Sequence, residues 1–103
     1  MKYCMIECAF QNIDEIKNAS KVLLDNKLVA STQIIESQSA WNWQNEREEK
    51  KEYLLIMKTK KTLIKDIYKE IRNIHSYECF ELAIFDLQSP NEEYLNWIDE
   101  TTK

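Results

Sequence analysis

The chain has 103 residues, enough for a single domain, residues 1–103, around one hydrophobic core. Its net charge of −4 is spread among interspersed acids and bases, so no basic stripe is on offer to a nucleic acid. No apolar run approaches the ~20 residues that span a bilayer, and the opening MKYCMIECAF lacks the apolar core and cleavage site of a secretory leader.

Cys4, Cys8 and Cys79 are odd in number and include no CxxC pair, which points to a reducing compartment, the cytoplasm. Glycine is absent and Pro90 is the only proline. Turns must therefore rely on Asn, Asp and Ser, and a glycine-rich phosphate loop is excluded.

Lys2 to Ala9 reads as a strand with little alternation, hence one buried on both faces. Asn12 and Glu15 form a capping-box pattern, and Ile16, Ala19, Ser20, Leu23 and Leu24 keep a helical spacing to about Asn26. Lys27 follows, where a cation suits the helix dipole. Val29 to Trp43 is rich in β-branched and aromatic residues and long for a strand, so a bulge is expected near Ser37-Gln38-Ser39. A turn is expected over Gln44 to Arg47, with Asn45 in the left-handed conformation. The charged run Glu46 to Glu52 reads as a solvated hairpin tip, leading into the apolar strand Tyr53 to Met57. A second helix spans about Thr62 to Ile74, with Leu63, Ile64, Ile67, Ile71 and Ile74 on one stripe. His75 to Glu81 then joins it to a strand from Phe80 to Leu87, and Pro90 introduces a last helix over Asn91 to Glu100.

The order β-α-β-β-α-β plus a terminal helix predicts an α+β, ferredoxin-like sandwich with two helices on one face of an antiparallel four-stranded sheet. Half-exposed strands should alternate, yet MIECAF, YLLIM and LAIF carry large apolar groups on both parities. Something must cover the second face: the last helix in part, and another subunit for the rest.

Several segments in this order are similar to one known family. They are Lys27-Leu28-Val29-Ala30, Trp41-Asn42-Trp43, Leu55-Ile56-Met57-Lys58-Thr59, His75-Ser76-Tyr77-Glu78 with Glu81, and Tyr94-Leu95-Asn96-Trp97-Ile98. Together they resemble the CutA divalent-cation tolerance proteins over nearly the whole chain. The resemblance implies a homotrimer of ferredoxin-like subunits with interlocking hairpins, linked to divalent cations and copper and without catalytic activity. Ser76 and Phe80 stand where the family carries prolines, and Asn45 where it carries a glycine after the aromatic pair. Ser31 and Gln33 replace a common Cys and Asn, and Ile74 a second histidine found in some members.

His75, the only histidine, and Cys8 are the candidate ligands for copper or another divalent cation, since imidazole and thiolate suit such ions. Glu78 and Glu81 can add oxygen donors, and with Tyr77 can furnish a polar pocket between subunits. Against this stands a plainer role for each: Cys8 as a small buried hydrophobe, His75 as the charged end of a helix, and the two glutamates satisfied by Lys58 or Arg47. Trp41 and Trp43 share one face of a strand and, with Lys58 and Trp97, read as interface or pocket residues. No nucleophile pattern accompanies the histidine, so an enzyme is not expected. The expected function is that of a non-catalytic, homotrimeric cation-tolerance protein. The alternative is a signalling or scaffold trimer that takes a small ligand or a protein in the clefts between subunits.

Overall fold

A computed structural model describes residues 2–103. Strand β1 (Tyr3–Phe10) leads to helix α1 (Ile13–Asp25), then to the hairpin β2 (Ser31–Trp43) and β3 (Glu46–Lys60). A 3-10 turn (Lys61–Leu63) opens helix α2 (Ile64–Ile74), followed by strand β4 (Leu82–Asp86) and helix α3 (Glu92–Thr101). The strands form one antiparallel sheet in the order β2-β3-β1-β4, the arrangement expected of the split βαβ pattern.

Alternation along the strands sorts the sheet into two faces. Cys4, Ile6, Cys8 and Phe10 of β1 stand opposite Thr59, Met57, Leu55 and Tyr53 of β3. This face packs on Ile16, Ala19 and Leu23 of α1 and Ile67 and Ile71 of α2, all fully buried. Burying each such aliphatic side chain stabilises the fold by roughly 1.5–3 kcal/mol. Thr59 is the polar member of this core, and its hydroxyl donates to the Leu28 carbonyl at 2.6 Å.

The opposite face carries Tyr3, Met5, Glu7 and Ala9 beside Lys60, Lys58, Ile56 and Leu54. Helix α3 lies over one end of it. Asp99 accepts from the Tyr3 hydroxyl at 2.5 Å and pairs with Lys2 at 2.9 Å and Lys60 at 3.8 Å, while Ile98 is fully buried. The expectation of partial cover by the last helix is therefore met. Elsewhere Ile35 and Phe85 remain 49% and 46% exposed, and Trp43 and Trp97 about as much.

Local structure departs from the sequence reading at four places. The pairing of β2 with β3 runs without a break from Ser31↔Lys58 to Trp43↔Glu46, so there is no bulge at Ser37–Ser39. The unbroken ladder is possible because Gln44 and Asn45 alone make the turn, both at positive φ (50° and 67°), which matches the twist of a two-residue hairpin. The charged run is therefore strand rather than tip: Lys51 pairs across to Glu36 at 3.0 Å, and Glu52 is buried. Strand β4 is shorter than expected, and residues 75–81 have no helix or strand of their own. The capping box is half made: Asn12 Oδ1 accepts from the amides of Asp14 and Glu15, but the Glu15 carboxylate accepts from Ser76 instead.

Lys27 holds the left-handed position that closes α1, with φ of 56°. Its amide donates to the Leu24 carbonyl and that of Leu28 to Leu23, a Schellman closure in which glycine is the usual occupant. A side chain there costs about 1–2 kcal/mol, offset in part because glycine is freer in the unfolded chain. Lys27→Gly should accordingly stabilise the protein by roughly 0.5–1 kcal/mol, read as a higher urea midpoint at constant m-value. A lower midpoint would show that the lysine side chain holds the closure in some further way.

Candidate functional site

The last turn of α2 ends at Ile74, and His75 turns out of the helix into extended backbone. Its ring lies between Phe10 of β1 and Phe80, stacked on both at centroid distances of 4.3 and 4.6 Å. Nε2 lies 2.7 Å from the Ala9 carbonyl, which can only accept, so Nε2 donates. Nδ1 accepts from the Tyr77 amide at 3.1 Å. These two bonds fix the neutral Nε2–H tautomer. Burial pushes the pKa of His75 below its ordinary value, against the opposing effects of the Ala9 bond and of Glu15 and Glu52. The expected imidazolium at a helix end is thus a neutral ring used on both sides.

Cys8 faces the helix-covered core and is fully buried. Burial, with Glu81 and Glu15 adding to it, pushes its thiol up to about 12, so it is protonated at neutral pH. A metal needs a thiolate and a free imidazole nitrogen. Cys8 is enclosed among core side chains and both His75 nitrogens are engaged, so as placed the expected Cys8–His75 pair offers a metal no open donor. Among the described residues no three His, Cys, Asp or Glu side chains are grouped to hold one ion.

What the structure does form is a cleft of about 680 Å³ on the uncovered face of the sheet. Its floor is Glu7, Ala9 and Leu54; β2 and β3 supply Trp41, Trp43, Glu48 and Glu52; the segment from Ser76 to Glu81 makes the opposite wall. The position of these sheet residues follows from parity, since Glu7, Ala9, Trp41, Trp43, Glu48, Glu52 and Leu54 all fall on the face away from α1 and α2. Trp41, Trp43, Tyr77, Glu78 and Glu81, each singled out in the sequence, are brought together here. Lys58 and Trp97 lie outside the cleft. Lys58 donates to Gln33 and Arg47 to Asn42, so neither satisfies the two glutamates.

Five glutamates line the cleft against a single lysine, Lys50. Two of them are held by contacts the sequence reading missed. Glu52, only 6% exposed, accepts from the Tyr77 hydroxyl at 2.7 Å, and burial and that bond hold the phenol well above its ordinary pKa. Glu81 has the Glu7 carboxylate as its neighbour, and two like charges placed together disfavour each other. Desolvation, then Glu7, pushes Glu81 up to about 7, although the residue as a whole is exposed. A signal for both residues was present. Glu7 interrupts an otherwise apolar strand, and Glu52 shares parity with Leu54 and Ile56.

Comparison with known proteins now adds the family. Residues 4–101 match the model of the CutA1 divalent ion tolerance protein family. A divalent-cation tolerance protein CutA of Thermotoga maritima is 32% identical over 99 residues, covering 94% of this chain and 96% of its own length. The Pyrococcus horikoshii protein of the same description is 28% identical, with 96% and 97% covered. A solved structure described as the periplasmic divalent cation tolerance protein CutA from Archaeoglobus fulgidus superposes with a TM-score of 0.94 at 27% identity, covering 98% of this chain and 99% of that one.

Tyr77→Phe removes the donor that Glu52 uses in its buried setting. It should cost about 1–3 kcal/mol of stability near neutral pH, measured by chemical denaturation. A loss below about 0.5 kcal/mol would mean that water replaces the phenol.

Proposed function

The chain belongs to the CutA1 divalent ion tolerance family, and on that premise we propose that it acts in the cytoplasm as a homotrimer that takes up divalent cations, copper among them, and catalyses no reaction. The observation that carries the cation reading is the Glu7–Glu81 pair. Two neighbouring carboxylates, one of them pushed up to about 7, in a cleft of five glutamates and one lysine, are a place where a divalent cation can take a proton's part. Oxygen donors favour the harder ions over copper(I), and among divalent ions the usual order of affinities puts copper(II) ahead. With only two carboxylates paired in one protomer, the remaining donors come from water or from a neighbouring copy.

Self-association draws its support from the open face of the sheet. Ile35, Phe85 and Trp43 are too exposed there for a lone subunit, and on the other face the edge strands β2 and β4 also leave Ile34 and Ile84 exposed. The absence of catalysis is supported by the engagement of the only histidine in two structural bonds. An exposed free thiol at Cys79 favours the cytoplasm.

A second reading draws on Trp41 and Trp43. A cleft of this volume with aromatic walls also suits a small organic ligand, and its charge selects a cationic one. A thermal-shift series of organic amines separates the two: a rise in melting temperature with amines and none with divalent cations favours this reading.

The cation reading predicts a pH-dependent titration with copper(II). Because the Glu81 proton must leave, affinity should fall about tenfold from pH ~8 to pH ~6. Glu81→Gln should lose most of the affinity and the pH dependence, whereas Cys8→Ala should keep both. Unchanged binding in Glu81→Gln rules out the carboxylate pair. A native mass of one subunit rules out the trimer.

A further inference from the structure

Ser76 to Cys79 and Glu81 line one wall of the cleft, yet residues 75–81 lie between α2 and β4 and take no part in the sheet ladder. Few groups tie them down. Ser76 reaches Glu15 and Gln11 at 3.1 Å each, both at exposed positions, and the Tyr77 hydroxyl reaches Glu52. Further along, Arg72 reaches the Glu78 carbonyl at 3.4 Å and Phe80 packs on Tyr68 and the core. The start of the segment is held by His75, through its ring stack and both ring nitrogens.

We propose that His75 is a proton-operated latch on this wall: neutral, it holds Tyr77 and the residues after it against the sheet, and on taking up a proton it releases them. The two nitrogens respond differently. Nε2 is already a donor, so its bond to the Ala9 carbonyl survives protonation. Nδ1 is an acceptor, and a proton placed there faces the Tyr77 N–H, donor against donor. The ring stays on β1 while Tyr77 is expelled.

The surroundings set where this happens. Glu15 of α1 and Glu52 of β3 favour the imidazolium, as do the faces of Phe10 and Phe80, and Arg72 of α2 opposes it. From β1 the ring meets the Ala9 carbonyl. Burial outweighs the favourable groups, and the pKa is lowered from 6.5. An unfolded chain therefore takes the proton first as pH falls. The stability supplied by neutral His75 is complete above about pH 6.5 and is lost as pH drops through the lower folded value. The latch depends on the segment's own contacts and holds whether or not the cleft takes a cation.

The test is a ¹⁵N NMR titration of the whole assembled protein from about pH 7.5 to about pH 4.5, with hydrogen exchange of the Tyr77 amide followed alongside. His75 should appear as the Nε2–H tautomer at neutral pH and titrate below the ordinary histidine range. The protection factor of the Tyr77 amide should fall about tenfold over the same step, while β1 and β3 keep theirs. His75→Gln, which can still donate to Ala9 but does not titrate, should lack the step. Three results overturn the latch: an Nδ1–H tautomer, Tyr77 protection that does not change as His75 titrates, or the same fall in His75→Gln. Should the glutamine variant not fold, the first two still decide on the unmodified protein.

Discussion

A four-stranded sheet has two faces, and this chain has two helices for one face and only the short α3 over one end of the other. The constraint is visible in burial: the residues of β1 that point to α1 and α2 are wholly enclosed, whereas Ile35 and Phe85 on the far side are half open. Water on large apolar groups is costly, and a fold that leaves such a surface free is under pressure to bury it against a copy of itself. The cleft lies on this same uncovered face. Its acidity and its aromatic wall therefore belong to the surface that α1 and α2 leave uncovered.

Within that surface, polar groups divide into those that hold the fold and those left over for chemistry. His75 and Cys8 belong to the first kind: one is saturated by Ala9 and Tyr77, the other buried as a thiol. Glu52 is intermediate, buried but given a single strong donor by Tyr77. Glu7 and Glu81 are the unresolved pair, since among the described residues no ion pair includes either and each carboxylate disfavours the other's charge. Chemistry is left to the groups that the fold has not already satisfied.

The architecture was largely legible because it rests on periodicity. Ile67 and Ile71 mark the buried stripe of α2, and strand parity put Trp41 and Trp43 on one face. Turn chemistry was legible at Asn45 but not at Gln44 or Lys27, because neither residue favours positive φ and the absence of glycine removes the usual marker. The site was less legible, for a reason visible in Glu7 and Glu81. They are far apart in sequence and meet only because β4 lies next to β1. Likewise the two partners of His75 come from the end of β1 and from two residues downstream, a combination that sequence spacing does not reveal.

The two-residue turn at Gln44-Asn45 also bears on the order in which the molecule assembles. Pairing β2 with β3 closes a loop of only two residues, whereas joining β1 to β3 or β4 must first immobilise a chain many times longer. Isolated hairpins close in about 1–10 μs, well ahead of such distant pairings. One side of the cleft, with both tryptophans and Glu52, is thus a local product of the chain, while the floor and the His75 wall await the long-range contacts. A nascent chain carries a half-built cleft as soon as its first sixty residues are free, and the acids that complete it arrive last.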